Sequence, residues 1–325
     1  MEKVAVIGLG NIAIRHRSNL KRLFPDATLF AMSASGRVPQ EIISDCDILV
    51  SNVQDLVLHE VELVIVASPA PFHASHALPL IEAGIPVLIE KPVTVTKQDA
   101  SELQQAMEEH QTPVAVGYCL RYLSSAIQVK KLLVEHAIGV LYNAHIEIGQ
   151  YLPNWRPNKN YYDSVSSSRE LGGGALLELS HELDYAQWLL GPLTLQHSIL
   201  RSSVELGLDV EDMVDIVALN QSKTVVTFHL DFIQREAYRR CSFIGSKGRL
   251  EWDLIKNSVT LATSEGVRVV YNGFDWDKNK MYLEMIEDFV QLIKGNKNSC
   301  TTLDEAKKTV CFISDVKKNA EYIES

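Results

Sequence analysis

The sequence lacks the features that mark several large classes of protein. Its 325 residues carry a formal net charge of -10 and contain no basic run, whereas nucleic acids and anionic membranes are bound by basic surfaces. The five cysteines are widely spread and form no Cys-x-x-Cys pair, so neither a disulfide framework nor a zinc ribbon is indicated. No apolar run approaches the length of a membrane span. We therefore expect a cytoplasmic protein without a nucleic-acid partner, a membrane partner or a metal.

The composition is that of an ordinary globular protein, with 46% hydrophobic and 22% charged residues. A chain of this length favours two domains over one. Near residue 120 an alternation of strands and helices gives way to a series of strands. We therefore predict one domain over residues 1–120 and a second over residues 121–325.

A glycine-rich turn follows the first predicted strand, residues 4–7. It reads Gly8-Leu9-Gly10-Asn11-Ile12-Ala13, which is Gly-x-Gly-x-x-Gly with alanine in the third position. The first glycine permits a tight turn, the second lets a pyrophosphate approach the backbone, and the small third residue keeps the next helix close. That helix would point its amino end at the phosphates. The position of this glycine-rich turn between a strand and a helix favours dinucleotide binding over a merely structural turn.

The end of the second predicted strand bears on the choice of dinucleotide. NAD-preferring proteins usually place an acidic residue there, which binds the ribose 2′-hydroxyl. Residues 28–32 are followed instead by Ser33, Ser35 and Arg37, with no acid. Hydroxyls and an arginine suit the 2′-phosphate of NADP. The alternative is that Arg37 is a solvated loop residue and that the protein accepts both NADP and NAD.

Two further strand ends carry chemically distinctive residues. Residues 61–67 are followed by Ser68-Pro69 and, after a short loop, by His73. Residues 86–89 run directly into Glu90-Lys91-Pro92. Ligands bind at the carboxyl ends of parallel strands, so this tripeptide is a candidate reaction centre, the alternative being a solvated ion pair that opens a loop. The repeated order of strand, helix and strand predicts a doubly wound parallel sheet.

His73 and His76 have the spacing of two metal ligands on one helix. Without a neighbouring cysteine or carboxylate they form a poor metal site. We expect His76 to face solvent or a partner helix.

The second half of the chain reads mainly as strands joined by short turns, which indicates a largely antiparallel sheet. The clearest strands are residues 143–150, 213–219, 224–231, 240–244 and 249–254. Helices are predicted over residues 124–136, 174–190, 278–293 and 303–322.

The helix predicted over residues 174–190 combines an apolar face with a titratable one. At about 100° per residue, Glu178, His181, Glu182 and Tyr185 share one face. A His-Glu-x-x-His zinc motif is excluded, because Tyr185 stands where the second histidine would be. The alternative to a functional face is a solvated polar one.

Two neighbouring features favour the functional interpretation of this face. The triple glycine before the helix, residues 172–174, would let another molecule approach closely. The preceding loop is rich in aromatic residues that suit stacking on a sugar or a similar polar ring. The loop residues are Tyr151, Trp155, Arg156, Tyr161 and Tyr162.

Taken together, these motifs resemble the glucose-fructose oxidoreductase, inositol dehydrogenase and rhizopine catabolism (Gfo/Idh/MocA) family over nearly the whole chain. The matching residues are Gly8-Leu9-Gly10-Asn11-Ile12 with Arg15-His16, Ser68-Pro69 with His73, Glu90-Lys91-Pro92, Gly117-Tyr118 with Arg121, Gly172-Gly173-Gly174 and Gly245-Ser246-Lys247-Gly248. The resemblance implies a Rossmann domain followed by an α/β domain with a large, open, mainly antiparallel sheet that often builds dimers. It also implies that Lys91 lies between the nicotinamide and the substrate.

The sequence departs from the family pattern at two places. An asparagine common after the Ser/Thr-Pro pair is Ala70 here. The usual Asp-x-x-x-His of the second domain appears as Glu178-x-x-His181, with Glu182 at the histidine's spacing. Residues three and four positions apart both lie one turn away, so His181 and Glu182 both stay candidates for the partner of Lys91.

The resulting hypothesis is an NAD(P)-dependent oxidoreductase that acts on a sugar-like polyhydroxylated substrate, such as an amino sugar or a nucleotide-linked sugar. The alternatives are an inactive nucleotide-binding sensor and a reductase of a non-sugar carbonyl compound. The expected cofactor-binding residues are Gly8, Gly10, Asn11, Ile12, Ser33, Arg37, Ser68, Pro69, His73, Glu90 and Lys91. The expected catalytic residues are Lys91, His181, Glu178 and Glu182, and the expected substrate-binding residues are Arg121, Trp155, Arg156, Tyr161 and Tyr162.

We also expect a homodimer or homotetramer. The second domain has helices enough to cover one sheet face only, which would leave apolar side chains such as Val214, Ile216 and Val226 to pair with a second copy.

Overall fold

The computed structural model describes residues 1–158 and 160–324. The chain forms two compact units. The first comprises Met1–Cys119 together with Asn279–Val310, and the second comprises Leu120–Lys278 together with Cys311–Ser325. The division near residue 120 lies where the predicted alternation of strands and helices gives way to a series of strands. Residues 279–310, which the sequence analysis assigned to the second domain, belong to the first unit instead.

The first unit is built on a six-stranded parallel sheet with the strand order β3-β2-β1-β4-β5-β6. Its elements from the amino terminus are β1 (Lys3–Ile7), α1 (Asn11–Leu23), β2 (Thr28–Met32), β3 (Ile48–Val50), α2 (Val53–Leu58), β4 (Leu63–Val66), α3 (His73–Glu82), β5 (Val87–Ile89), α4 (Lys97–His110) and β6 (Val114–Val116). The central strands are short apolar runs buried over almost their whole length, as expected when helices cover both faces. This order is that of a dinucleotide-binding Rossmann fold, and the prediction is confirmed.

The second unit is built on a nine-stranded sheet. Its order is β14-β13-β12-β11-β7-β10-β9-β8-β15. The elements are α5 (Ser124–Val134), β7 (Leu141–Gly149), α6 (Ala175–Glu178), α7 (Ser180–Leu190), β8 (Leu193–Ser202), β9 (Met213–Asn220), β10 (Val225–Asp231), β11 (Tyr238–Gly245), β12 (Gly248–Asp253), β13 (Ser258–Thr263) and β14 (Gly266–Asn272). Two helices and a strand then complete the chain: α8 (Lys280–Ile293), α9 (Leu303–Asn319) and β15 (Glu321–Glu324).

The second sheet is mainly antiparallel, as predicted. Strands β7 and β10 pair in parallel, as do β8 and β15, and the other paired strands run antiparallel. Among the residues that the structure describes, no helix combines the length and hydrophobicity needed to cross a bilayer.

Helix α8 packs against α1 of the first unit. Its apolar stripe includes the buried residues Leu283, Ile286 and Phe289. Asn279, just before α8, exchanges two amide hydrogen bonds with Asn19 of α1, at 3.3 and 2.7 Å. The apolar stripe indicates that one face of α8 is buried, but sequence periodicity does not identify the sheet or helix against which that face packs.

Two predicted helices differ from the structure. The helix predicted over residues 174–190 is interrupted at Leu179, where the backbone leaves helical geometry at φ -96° and ψ 26°. The helix predicted over residues 303–322 ends at Asn319, and Tyr322 and Ile323 instead lie in β15. Pairing with β8 gives this last segment the backbone hydrogen bonds that a further helical turn would have supplied.

The apolar residues expected at a dimer interface are on the wrong face of the second sheet for that role. Val214, Ile216 and Val226 are all buried within the unit, at 0%, 2% and 0% exposure. Their strands, β9 and β10, contact α6. Because side chains alternate along a strand, the opposite face carries residues such as Asp215 and Thr227 and is largely polar. The argument for self-association from these three residues is therefore wrong.

Candidate functional site

The turn after β1 has the geometry of a dinucleotide-binding loop. Gly8 has φ +116°, and a Cβ there would collide with the carbonyl oxygen of Ala67, so only glycine fits. Gly10 has open space around its Cα and is the residue before α1, whose first turn receives no side-chain hydrogen bond. Free backbone N–H groups at the start of a 13-residue helix, approached through an open glycine, suit a pyrophosphate.

A buried arginine of α1 is hydrogen-bonded to this glycine loop. Arg17 of α1 is 1% exposed. Its Nη1 donates to the carbonyl oxygen of Gly8 at 3.4 Å, and its Nε donates to that of Ser44 at 2.9 Å. Burial lowers the pKa of Arg17 from its usual value. This arginine therefore ties the glycine loop to the segment after β2 and is not presented to a ligand.

The loop after β2 contains the residues expected at the adenosine ribose. Gly36 turns the chain at φ +74°, and its Cα faces the carbonyl oxygen of Ser51 so closely that a Cβ would not fit without a shift. The hydroxyls of Ser33 and Ser35 lie 3.5 Å apart, and Arg37 is exposed. These side chains can donate hydrogen bonds to a phosphate, and no carboxylate stands among residues 33–37.

His73 joins two loops at the carboxyl ends of β4 and β5. Its Nε2 lies 2.8 Å from the carbonyl oxygen of Ser68, and its Nδ1 lies 3.0 Å from that of Pro92. Burial lowers the pKa of His73. His73 thus fixes the strand ends that carry Ser68-Pro69 and Glu90-Lys91, and its 1% exposure leaves it without direct access to a ligand.

The expectation that His76 faces solvent or a partner helix is wrong. His76 is 8% exposed, and its Nδ1 lies 2.9 Å from the hydroxyl of Ser68. It supports the same strand end as His73.

Glu90 and Lys91 differ in environment although they are adjacent. The Glu90 carboxylate is buried and lies 2.7 Å from Nε2 of His16, while its second oxygen accepts the Lys91 backbone N–H at 3.1 Å. Burial disfavours the Glu90 anion, but the His16 hydrogen bond and the His16 and Lys91 charges outweigh burial and lower the pKa of Glu90. Lys91 is half-buried at the end of β5. Glu90 is therefore not a solvated member of a surface pair.

The triple glycine is required by the protein's own packing. A Cβ at Gly173 would collide with the carbonyl oxygens of Val165 and Ser166, and a Cβ at Gly174 would meet the Glu211 carboxylate. One oxygen of Glu211 also accepts the Leu176 backbone N–H at 3.3 Å. The expectation that these glycines let a ligand approach is therefore replaced by an internal explanation.

The titratable face predicted over residues 174–190 is divided by burial. Glu178 and His181 are half-buried, whereas Glu182 and Tyr185 are 0% exposed. One oxygen of Glu182 accepts from Nε of Arg239 at 2.7 Å and from the Tyr185 hydroxyl at 3.4 Å. Burial raises the pKa of Tyr185 well above its usual value. Glu182 and Tyr185 thus belong to the interior, because α7 packs against the sheet on that side.

Arg121, expected to bind substrate, holds α7 in place. Its Nε and Nη2 donate to the two carboxylate oxygens of Asp184 at 2.9 and 2.7 Å. Both side chains are almost fully buried. A bidentate arginine–carboxylate pair has a fixed geometry, so Arg121 fixes the helix that carries His181.

The aromatic loop encloses a cavity of about 450 Å³. It is lined by Leu152, Trp155, Arg156, Asn160, Tyr161, Asp163, Ser164 and Ser166. Volumes of about 300–1,000 Å³ are typical of small-molecule sites. The mixture of two aromatic rings with charged, amide and hydroxyl groups suits a polar ring compound.

Local contacts hold the aromatic walls of this cavity. The Trp155 indole N–H donates to the carbonyl oxygen of Gln150 at 3.1 Å. Tyr161 and Tyr162 stack with ring centroids 4.3 Å apart, and both hydroxyls donate to the carbonyl oxygen of Leu206. Hydrogen bonding with Tyr162 raises the pKa of Tyr161 to about 12. Three of the predicted substrate-binding residues, Trp155, Arg156 and Tyr161, thus line one cavity, and Tyr162 supports it.

Sequence reasoning missed several residues that shape these sites. Asn160, Asp163, Ser164 and Ser166 line the cavity but carry no motif, although their position between Trp155 and the triple glycine was a usable signal. Tyr282, from α8, contacts His16, and only the fold brings these two residues together.

Comparison with known proteins places both halves of the chain in one family. Residues 2–118 match the family described as "Oxidoreductase family, NAD-binding Rossmann fold". Residues 126–251 match the Gfo/Idh/MocA C-terminal domain.

Individual relatives are distant. The chain is 33% identical to an uncharacterised oxidoreductase of Synechocystis sp. over 47% of its own length and 42% of that protein, so this match spans less than half of the relative. It is 22% identical to myo-inositol 2-dehydrogenase of Thermotoga maritima, with 98% of this chain and 96% of the relative covered.

Among solved structures, levoglucosan dehydrogenase in complex with NADH superposes with a TM-score of 0.84 at 18% identity, covering 98% of this chain and 96% of that one. At that identity the likeness concerns the fold. The glycine loop, the Glu90-Lys91-Pro92 strand end and the two domain matches together lead to one conclusion: the chain belongs to the Gfo/Idh/MocA oxidoreductase family.

Proposed function

We propose that the protein is an NAD(P)-dependent dehydrogenase or reductase that transfers a hydride between nicotinamide and a CH–OH group of a sugar-like substrate. The observation that carries the proposal is the position of Lys91. It lies two residues after the end of β5, half-buried, at the same edge of the sheet as the glycine loop. Ligands of open parallel sheets bind at that edge, so an amine there is available to a reacting hydroxyl.

The residues present fit the dinucleotide. Gly10 and the free N–H groups of α1 would hold the pyrophosphate, and Ser33, Ser35 and Arg37 would receive the adenosine ribose. When bound, the nicotinamide supplies the hydride acceptor or donor. The protein's own task is then to move the hydroxyl proton, and a group within hydrogen-bond reach of that hydroxyl must do so. We assign this task to Lys91, either as the base or as the cation that holds the hydroxyl.

We propose His181, rather than Glu182, as the partner of Lys91 in proton transfer. His181 is half-buried, and an imidazole can both donate and accept a proton. Glu182 is fully buried and its carboxylate accepts from Arg239 and Tyr185. Glu178, also half-buried, would orient the substrate or the histidine.

The cavity of the aromatic loop supports a sugar-like substrate. Trp155 and Tyr161 offer flat apolar surfaces, and the hydroxyl, amide and charged groups around them can bind ring hydroxyls. Relatives named for inositol and levoglucosan act on compounds of that kind. An amino sugar or a nucleotide-linked sugar is the narrower form of the proposal.

The alternative is a nucleotide-binding sensor that has lost the chemistry. The half-buried Lys91 argues against it, because a non-catalytic binder does not need an amine at that point. Purified protein would be incubated with NAD or NADP and a panel of polyols, sugars and nucleotide-linked sugars, and reduced nicotinamide would be followed at its absorbance band. We expect cofactor reduction with at least one polyhydroxylated compound. Tight cofactor binding with no hydride transfer over the whole panel would favour the sensor.

We further propose a preference for NADP over NAD. Replacing Arg37 with alanine should weaken NADP binding by about 10- to 100-fold, since hydrogen bonds to charged groups contribute about 1.5–3 kcal/mol. NAD binding should be nearly unchanged, because NAD has no 2′-phosphate. Titration calorimetry with both dinucleotides measures the two affinities. Equal losses for NADP and NAD would contradict the assignment.

We propose a homodimer formed by the polar face of the second sheet. That face presents Val217 and Ile244, each 37% exposed, among paired charges such as Arg240 with Asp253 and Arg249 with Glu251. Sedimentation velocity at micromolar concentration should therefore give a dimer. Replacing Val217 with aspartate should shift the distribution toward monomer, and a wild-type protein that sediments as a monomer would refute the assembly.

A further inference from the structure

A buried histidine–carboxylate pair lies in the first unit beside Lys91. His16 of α1 is 0% exposed, and the Glu90 carboxylate at the end of β5 is 9% exposed. Their Nε2 and Oε1 atoms are 2.7 Å apart. The proton transfer proposed above uses neither residue, yet burying an ionisable pair is costly unless its geometry is well satisfied.

The Glu90 carboxylate is held on three sides. One oxygen faces His16, and the other accepts the backbone N–H of Lys91. On the third side, a Cβ at Gly117 would lie only 3.1–3.2 Å from the carboxylate atoms, so a larger residue there would displace the carboxylate by a few tenths of an ångström. Glu90 therefore has a fixed orientation relative to the backbone from which the Lys91 side chain extends.

Tyr282 of α8 closes the outer side of His16. The two rings meet edge to face with centroids 6.1 Å apart at 74°. The guanidinium of Arg15 lies 4.5 Å from the centroid of the same tyrosine ring. Burial raises the pKa of Tyr282 above its usual value, so the phenol stays neutral. Together with the Asn19–Asn279 hydrogen bonds, these contacts secure α8 against α1.

We propose that Glu90 is a positioning residue for Lys91, and that His16, enclosed by Tyr282, fixes the Glu90 carboxylate. The inference rests on the proposed function, since it assigns a role beside the lysine that performs it. Glu90 acts on Lys91 in two ways. Its carboxylate accepts the Lys91 backbone N–H, and its negative charge attracts the Lys91 ammonium group. Helix α8 thereby contributes to the site through Tyr282 and His16.

The electrostatic part is tested on the protein without cofactor or substrate. Only the neutral amine reacts with acylating reagents, so removing a nearby anion should speed the modification of Lys91. Glu90→Gln keeps the shape and removes the charge, and we expect Lys91 to be acetylated about tenfold faster at pH 8. Peptide mass spectrometry reports the rate at Lys91. Glu102→Gln, an exposed change on α4, is the control, and an unchanged rate in Glu90→Gln overturns the proposal.

The positioning part is tested by a double-mutant cycle. Glu90→Gln and His16→Asn should each lower kcat by about tenfold, as expected for a misplaced catalytic group, while cofactor affinity stays within about twofold. The double variant should lose no more of its kcat than the more impaired single variant, because both changes break the same His16–Glu90 interaction. Losses that multiply, or a loss confined to cofactor affinity, overturn the proposal. His16→Gln replaces His16→Asn if thermal unfolding shows that the latter is not folded.

The two proposals fail separately. Unchanged turnover in Lys91→Ala would refute the proposed function, whatever the acetylation rates. Faster acetylation of Lys91 in Glu90→Gln would still establish the coupling between the two residues. Normal acetylation and additive kinetics, with Lys91 required for turnover, would refute the role of Glu90 alone.

Discussion

Replacing Lys91 with alanine is expected to lower kcat by about 10² to 10⁴, the range typical of losing a general acid–base group. Lys91 is half-buried at the end of β5, beside a carboxylate whose own position is fixed by His16. Its amine is the group that the proposed chemistry places within reach of the reacting hydroxyl. Cofactor affinity should change little, because the pyrophosphate is assigned to the glycine loop and α1.

Steady-state kinetics on the best substrate of the panel, with cofactor affinity measured by calorimetry, checks this prediction. Lys297→Ala is a matched control, since Lys297 is an exposed lysine of the same unit. Turnover close to wild type in Lys91→Ala would refute the proposed mechanism. A loss confined to cofactor affinity would make Lys91 a binding residue instead.

The second large effect concerns α7. His181→Ala should lower kcat by about 10² to 10⁴, with the thermal midpoint nearly unchanged because the side chain is only half-buried. Glu182→Gln should behave in the opposite way. It weakens the charged hydrogen bond with Arg239, which is worth about 1.5–3 kcal/mol of unfolding free energy, and should leave the kcat of the folded protein largely intact.

The two variants are compared by kinetics and by thermal unfolding in parallel. His197→Ala, an exposed histidine of the same unit, serves as the control. Normal activity in His181→Ala combined with a large loss of kcat in a folded Glu182 variant would transfer the partner's role to Glu182. The structure makes the first result the expected one, because the Glu182 carboxylate is enclosed by Arg239 and Tyr185.

The helix α7 illustrates how far periodicity can be trusted. Spacing placed Glu178, His181, Glu182 and Tyr185 on one face of a single helix, whereas the helix is interrupted at Leu179 and the structure brings Glu182 and Tyr185 into contact. Burial divides them, since the sheet packs against the side that carries Glu182 and Tyr185. A polar residue at a buried position is indistinguishable in sequence from a solvated one until its partner is known, and Arg239 lies 57 positions away.

For Arg121 and the triple glycine, too, the residue type alone did not identify the partner. Arginine is suited equally to substrates and to buried carboxylates, and only the fold brings Asp184 to Arg121. Glycine is needed wherever something approaches the backbone closely. At Gly173 and Gly174 that neighbour is the chain itself.

The sequence by itself determined the parallel sheet, the glycine loop and the position of Lys91, because these depend on short-range patterns. Apolar runs, turn glycines and the charge that begins where a strand stops are all visible within ten residues. Tertiary structure decided that α8 returns to the first unit, that His16 holds Glu90, and that residues 321–324 pair with β8. Each of these is a contact between segments far apart in the chain. Amphipathic periodicity states that a surface must be covered, whereas shape and the pairing of buried polar groups determine what covers it.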